Sequence, residues 1–220
     1  MGSTVIQAIP AGASPQCDLS RRERRKLEVR RRILDAAEAL FDARGVSATR
    51  VAQICERADV AEKTFFNHFA SKQDLLHELA AGALGRLLAD IEQARKRPGT
   101  TRERLIAFFG CIADHTEEAG PMHRELLTEI IHVAHEARTE REQVRVLKDA
   151  FGALVSDGIA AGDLTRRHAP ETLTDMILGA FYVLMFNWAH LEGYGLRRHA
   201  LAAARFLGDA MAAPPRRSRR

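Results

Sequence analysis

The chain has 220 residues, of which 46% are hydrophobic, 28% charged and 6% aromatic, the profile of a soluble globular protein long enough for one or two cores. Three scattered cysteines, Cys17, Cys55 and Cys111, form no C-x-x-C pair, which excludes a disulfide framework or a zinc ribbon and favours a reducing compartment. The net charge of +4 is unevenly spread: residues 1–73 carry +4, residues 74–213 carry −4, and residues 214–220 add four arginines.

Residues 1–20 mix Gly, Pro, Ser and Ala without periodicity and predict a disordered arm. Their apolar patch, Val5 to Ile9, is interrupted by Gln7 and ended by Pro10 with no basic residue before it, so a signal peptide is not expected and the cytoplasm is. Then comes Arg21 to Arg32, RRERRKLEVRRR, with eight basic and two acidic residues, an excess that attracts a polyanion unless it is only a solvated helix face. From here on no strand-like alternation is long enough to count, whereas apolar residues recur at three- and four-residue spacing, which predicts an all-α fold. Leu27, Ile33, Leu34, Ala37, Leu40 and Phe41 form the stripe of a first helix over about 22–44, with Gly45 as its C-terminal cap.

Thr49 offers an N-cap hydroxyl to a short helix over Arg50–Arg57, whose Val51 and Ile54 face inward beside Ala58. Asp59 occupies the turn, where a residue tolerant of the left-handed region is wanted. A second short helix, Ala61 to His68, points Phe65 and Phe69 to the core. Two short helices joined by a tight turn after a longer one make a helix-turn-helix. Ser71 caps a long helix from Lys72 to about Arg97, ended by Pro98 and Gly99. Beyond it the pattern predicts helices over 101–118, 121–138, 139–161, 170–193 and 197–212, and a basic disordered tail over 214–220. The uncharged stretch Met176 to Leu191 is sixteen residues, short of the ~20 that a bilayer span needs, so it reads as a buried helix and no membrane partner is expected. The expected division is 21–73 for the helix-turn-helix and 74–213 for a larger helical unit.

In DNA-binding helix-turn-helix units the second short helix enters the major groove while flanking helices hold phosphates. Glu62, Lys63, Thr64, Phe66, Asn67 and His68 are the positions of that helix which the core does not use, and they include donors, an amide suited to adenine and an aromatic ring. Lys72 adds its charge to the free N–H groups of a helix start. The alternative is a plain helical hairpin with a wet polar face. Against it stands the grouping of Thr49, the turn, the polar helix face and Lys72 within 24 residues, beside the basic run.

The segment from about Leu27 to Leu76, including ILDAAEALFDARGVSATRVAQICERADVAEKTFFNHFASKQDLL, resembles the N-terminal domain of the TetR family of transcriptional regulators. The first-helix stripe ending in Gly45, Thr49-x-Val51-x-x-Ile54, Thr64, Phe66-x-His68-Phe69 and Lys72-x-x-Leu75 carry the likeness. The resemblance implies nine or ten helices per subunit, a C-terminal ligand and dimer domain, and homodimers on palindromic double-stranded DNA operators. It would put Thr64, His68 and Lys72 on phosphates, Lys63 and Asn67 near base edges, and Thr49 on the DNA backbone. Asp59, Ala61 and Phe66 depart from the family's usual Gly, Ser and Tyr. The lost tyrosine hydroxyl costs at most one hydrogen bond, ~1 kcal/mol net.

In the C-terminal half, Leu173, Ile177, Phe181, Leu184 and Trp188 form one stripe and Leu201, Ala204, Leu207, Gly208 and Met211 another, the expected dimer interface as a four-helix bundle, unless these faces pack within one subunit. Phe108, Phe109, Ile112, His115, Leu127, Ile131, Phe151 and Met185 are the expected lining of a pocket for an apolar or amphipathic ligand, although each taken singly reads more readily as ordinary core. Glu129-x-x-His132 matches half of a di-iron helical motif, with Glu125, His135 and Glu136 nearby, but the second Glu-x-x-His is missing. No catalytic motif is recognisable, so neither enzymatic activity, cofactor nor metal is expected. The reading is a homodimeric, ligand-responsive repressor; the competing readings are a DNA-binding adaptor without a ligand and a helical metalloenzyme centred on Glu129 and His132.

Overall fold

The computed structural model describes residues 20–117, 124 and 139–214. Among these the chain forms eight helices: α1 Arg21–Arg44, α2 Val51–Ala58, α3 Glu62–His68, α4 Lys72–Lys96, α5 Thr101–Glu117, α6 Thr139–Ala161, α7 Pro170–His190 and α8 Leu196–Ala210. The all-α expectation holds, with one isolated β-bridge between Leu164 and Ala212 among the described residues. Of the helix expected over 121–138 only Arg124 is among the described residues; Leu127, Ile131, Glu129 and His132 lie outside them.

Local chemistry sets most helix ends. The Ser20 hydroxyl accepts from the Glu23 N–H at 3.2 Å while the Glu23 carboxylate accepts from the Ser20 N–H at 2.9 Å, a reciprocal box that starts α1. Ser20 is thus a helix cap rather than part of an arm, and the basic run Arg21–Arg32 is helix. Leu27, expected in the core stripe, is 52% exposed, because this part of α1 precedes its first fully buried residue, Ile33. Asp59 does take the left-handed conformation, at φ 51°, and ends α2. Ser71 caps α4 by accepting from the Asp74 N–H at 3.0 Å.

Two hydrophobic cores result. The first joins α1, α2, α3 and the start of α4 through Ile33, Phe41, Ile54, Phe65, Phe69 and Leu75. The second joins the end of α4 to α5, α6, α7 and α8 around the rings of Phe108, Phe109, Phe151 and Phe181. α4 therefore belongs to both cores: Leu75, Leu76 and Ala80 are buried in one, Ile91 and Ala94 in the other.

The stripes expected at a dimer interface are core instead. Leu173, Ile177, Phe181, Leu184 and Trp188 are at most 5% exposed within the single chain, Ala204, Leu207, Gly208 and Met211 are buried, and Leu201 is half-buried. The physical reason is coverage: α6 packs on α7, and α5 packs on α8. At Gly208 the stem of Arg102 passes so close that a Cβ would collide with it, and the Arg102 guanidinium reaches on to Asp209 at 2.6 Å. By length and composition α7 is apolar enough to cross a membrane, yet eight of its residues are buried within the subunit.

Candidate DNA interface

The recognition helix is held from behind. Phe65, fully buried, packs its ring 5.7 Å from that of Phe69, and Phe66 stands edge-on to Phe65 at 5.3 Å while remaining 51% exposed. With the core holding Phe65 on one side, Glu62, Lys63, Phe66 and Asn67 are exposed and Thr64 and His68 half-buried. A seven-residue helix is too short to persist alone, so this anchoring is what presents its polar face.

Two arginines of the basic run lock the unit together. Arg30 pairs with both carboxylate oxygens of Glu78 on α4, donates to the His68 carbonyl at 2.8 Å and lies 4.4 Å over the Phe69 ring. Arg32 donates to the carbonyls of Ala58 and Asp59, closing the end of α2. Along the sequence the run is one undifferentiated basic patch, and neither role is visible in it. Arg21, Arg22, Arg24, Arg25, Lys26 and Arg31 remain exposed on α1.

Two of the expected phosphate contacts are differently placed. Thr49 is 1% exposed and its hydroxyl donates to the Gly45 carbonyl at 2.8 Å. It neither caps α2, which begins one residue later than expected with Arg50 as its N-cap, nor offers a hydroxyl to DNA. The Gln53 side chain accepts from the Arg50 N–H at 3.0 Å instead. Lys72 directs its ammonium to the carbonyls of Val46 at 2.8 Å and Thr49 at 3.0 Å, so it braces the loop between α1 and α2. His68 is held below the ordinary histidine range by burial and by the nearby charges of Arg30 and Lys26, and is neutral at pH 7. It can donate one hydrogen bond to a phosphate but brings no charge.

The expected ligand lining separates into two environments. Phe108, Phe109, Phe151 and Met185 are buried in the second core, and Ile112 is half-buried. His115 points elsewhere: it is exposed on α5, beside Cys111 and the Asp90 carboxylate. Phe108 also edges a cleft of about 450 Å³ between α4 and α5, with Gln93, Lys96, Arg97 and Cys111 among its walls.

An exposed face on a short helix, braced by a tight turn and a buried phenylalanine, defines a helix-turn-helix DNA-binding unit. Residues 33–79 match the family described as bacterial regulatory proteins, tetR family. The HTH-type transcriptional repressor KstR of Mycolicibacterium smegmatis is 31% identical over 161 residues, covering 72% of this chain and 75% of KstR. A TetR transcriptional regulator from Chloroflexus aurantiacus shares the fold with a TM-score of 0.66 at 20% identity, covering 87% of this chain and 100% of that one. FadR of Thermus thermophilus, a TetR family repressor in complex with lauroyl-CoA, does so with a TM-score of 0.63 at 21% identity, covering 87% and 99%. The chain belongs to the tetR family of bacterial regulatory proteins and is a helix-turn-helix transcriptional regulator.

Proposed function

We propose that the protein is a homodimeric repressor that holds a palindromic operator through α3 of each subunit and leaves it when a small apolar or amphipathic molecule binds the C-terminal core. One observation carries the reading: the outward face of α3 presents Lys63, Phe66 and Asn67 while its inward face is fixed by Phe65. Lys63 suits the O6 and N7 acceptors of guanine, Asn67 the N6 and N7 pair of adenine, and the Phe66 ring a thymine methyl. Thr64 and neutral His68 donate to phosphates, and exposed cations of α1 supply salt-dependent attraction to the flanking backbone. The unit over 21–73 binds DNA, and the unit over 74–213 regulates and dimerises, with α4 shared between them.

The dimer uses the side of α7 that the subunit core leaves open. Met176, Val183 and Phe186 are 54%, 59% and 51% exposed and share one face of that helix, and Phe206 of α8 is 71% exposed. Two copies that bury these residues bring two DNA-binding units to one duplex. Release follows from linkage: a ligand that favours the conformation with mismatched spacing lowers operator affinity by its differential affinity, ~1–3 kcal/mol in typical couplings. The lauroyl-CoA held by the structurally similar FadR is a ligand of this amphipathic kind. Such a regulator works in the cytoplasm and catalyses no reaction.

Selection of bound fragments from a genomic DNA pool at stated salt, followed by footprinting, tests the reading. The expected result is a two-fold symmetric site protected on successive major grooves. Absence of enrichment over random DNA overturns it.

A further inference from the structure

Asp90 on α4 and Cys111 and His115 on α5 form a cluster that DNA binding does not use. Residues 97–100 join the two helices, and α5 folds back along α4, which brings Asp90 opposite the second half of α5. Cys111 and His115 are four residues apart and so share one face. The Cys111 sulfur lies 3.7 Å from His115 Nδ1, that nitrogen lies 3.6 Å from an Asp90 carboxylate oxygen, and the three donor atoms are all within 4.8 Å of one another.

The Cys111–His115 separation fits a weak sulfur hydrogen bond as well as a shared ion, whereas the His115–Asp90 separation is longer than a direct hydrogen bond and suits a shared ion. Donors around a tetrahedral ion with bonds of about 2.0–2.3 Å stand about 3.3–3.8 Å apart. Both measured edges fall in that interval, whereas an N–H to oxygen hydrogen bond closes to about 2.7–3.2 Å. A thiolate, an imidazole and one carboxylate are a zinc-type set; magnesium and calcium call for oxygen donors throughout. The charges also balance, since one carboxylate and one thiolate neutralise a dication. The Asp90 side chain is only 16% exposed, so an ion there compensates a carboxylate that is otherwise poorly hydrated.

The geometry points to a divalent transition-metal site, best suited to Zn²⁺, held by Asp90, Cys111 Sγ and His115 Nδ1, with its fourth position open to the cleft between α4 and α5. The ion enters as the Cys111 thiol gives its proton to solvent and binds as thiolate. Lys96 and Arg97, on the wall of the cleft, suit a water or a small anion in the fourth position. Bound metal ties α4 to α5, and because α4 begins in the DNA-binding core it changes operator affinity; this last consequence rests on the repressor reading above.

The test uses the full chain, stripped with chelator and titrated with Co²⁺ and then Zn²⁺. Expected are one Co²⁺ per chain with thiolate charge-transfer absorption and the intense visible bands of tetrahedral cobalt, both removed by Zn²⁺. C111S abolishes the charge-transfer band, and H115A and D90N weaken binding by more than the roughly 10–100-fold that losing an outer-shell partner costs. H132A leaves binding unchanged. A weak octahedral spectrum, or one that survives C111S, overturns the site, as does loss of binding in H132A but not H115A. Operator affinity is measured separately with and without Zn²⁺. Cobalt binding that depends on Cys111, with no operator selected from any DNA pool, leaves the metal site standing and overturns only the repressor reading; an operator bound equally with and without Zn²⁺ overturns the coupling.

Discussion

α3 and α7 each set one face in a core, and the two allot their remaining faces in opposite ways. In α3 the core claims Phe65 alone as a fully buried residue and leaves the polar positions as the working surface. In α7 the core claims eight residues, and an apolar face of Met176, Val183 and Phe186 remains outside. On α3 the polar letters mark the outward face. On α7 both faces are apolar, so letters alone do not say which one faces another molecule. What a helix does outside its own core is thus easy to read where polarity changes across it, and hidden where it does not.

Four measurements sharpen or break this contrast. The largest effect is expected in neighbouring residues of α3: Phe65→Ala costs about 3–5 kcal/mol in denaturant unfolding, whereas Phe66→Ala stays within about 0.5 kcal/mol while weakening operator binding. Comparable destabilisation by both removes the distinction between inward and outward faces. For α7, Phe181→Ala should cost about 3–5 kcal/mol of subunit stability. Val183→Glu with Phe186→Glu should instead yield a folded monomer by light scattering, and a doubly charged variant that stays dimeric sinks the assignment of the open face.

Lys63→Ala with Asn67→Ala should cost the operator about 1–3 kcal/mol per base contact and leave affinity for random DNA nearly unchanged. Equal losses on both DNAs mean that these side chains touch only backbone. The smallest effect concerns pH. His68 is neutral in the folded state, and its unfolded form takes up a proton near the ordinary value of 6.5. Its contribution is fully present above that value and is lost as pH falls below it through the lowered folded pKa, a decline that His68→Gln should reduce in thermal melts.

Most of the N-terminal fold was legible because it is local. Gly45, Asp59 and Ser71 end or start helices through their own backbone and side-chain chemistry, and the observed α1, α3 and α4 follow the expected spans within a residue. The Ser20–Glu23 box is equally local, but the composition of the preceding residues drew it into the arm. What stayed hidden depends on partners distant in sequence. Thr49 and Lys72 are polar letters at the right spacing for DNA, and only the folded loop shows that their groups are spent on the carbonyls of Gly45, Val46 and Thr49. The Cys111–His115 spacing is visible along one helix, whereas Asp90 joins them only after α5 folds back. The apolar helices of the second core are legible along the sequence, whereas the covering of their stripes within the subunit is not, since coverage by α5 and α6 is a tertiary fact.

Arg30 ties the end of α3 to α4 through His68 and Glu78, so the recognition helix has no independent hinge at this joint. These contacts couple the DNA-reading head to α4, in the manner of a pointer on a lever. A helix of 25 residues is about 37 Å long. A tilt of only ~5° about its far end sweeps the pointer by roughly 3 Å, comparable with the 3.4 Å rise of one base-pair step. In the symmetric pair proposed above both pointers would sweep, and a change too slight to disturb either core would put two heads out of step with the duplex.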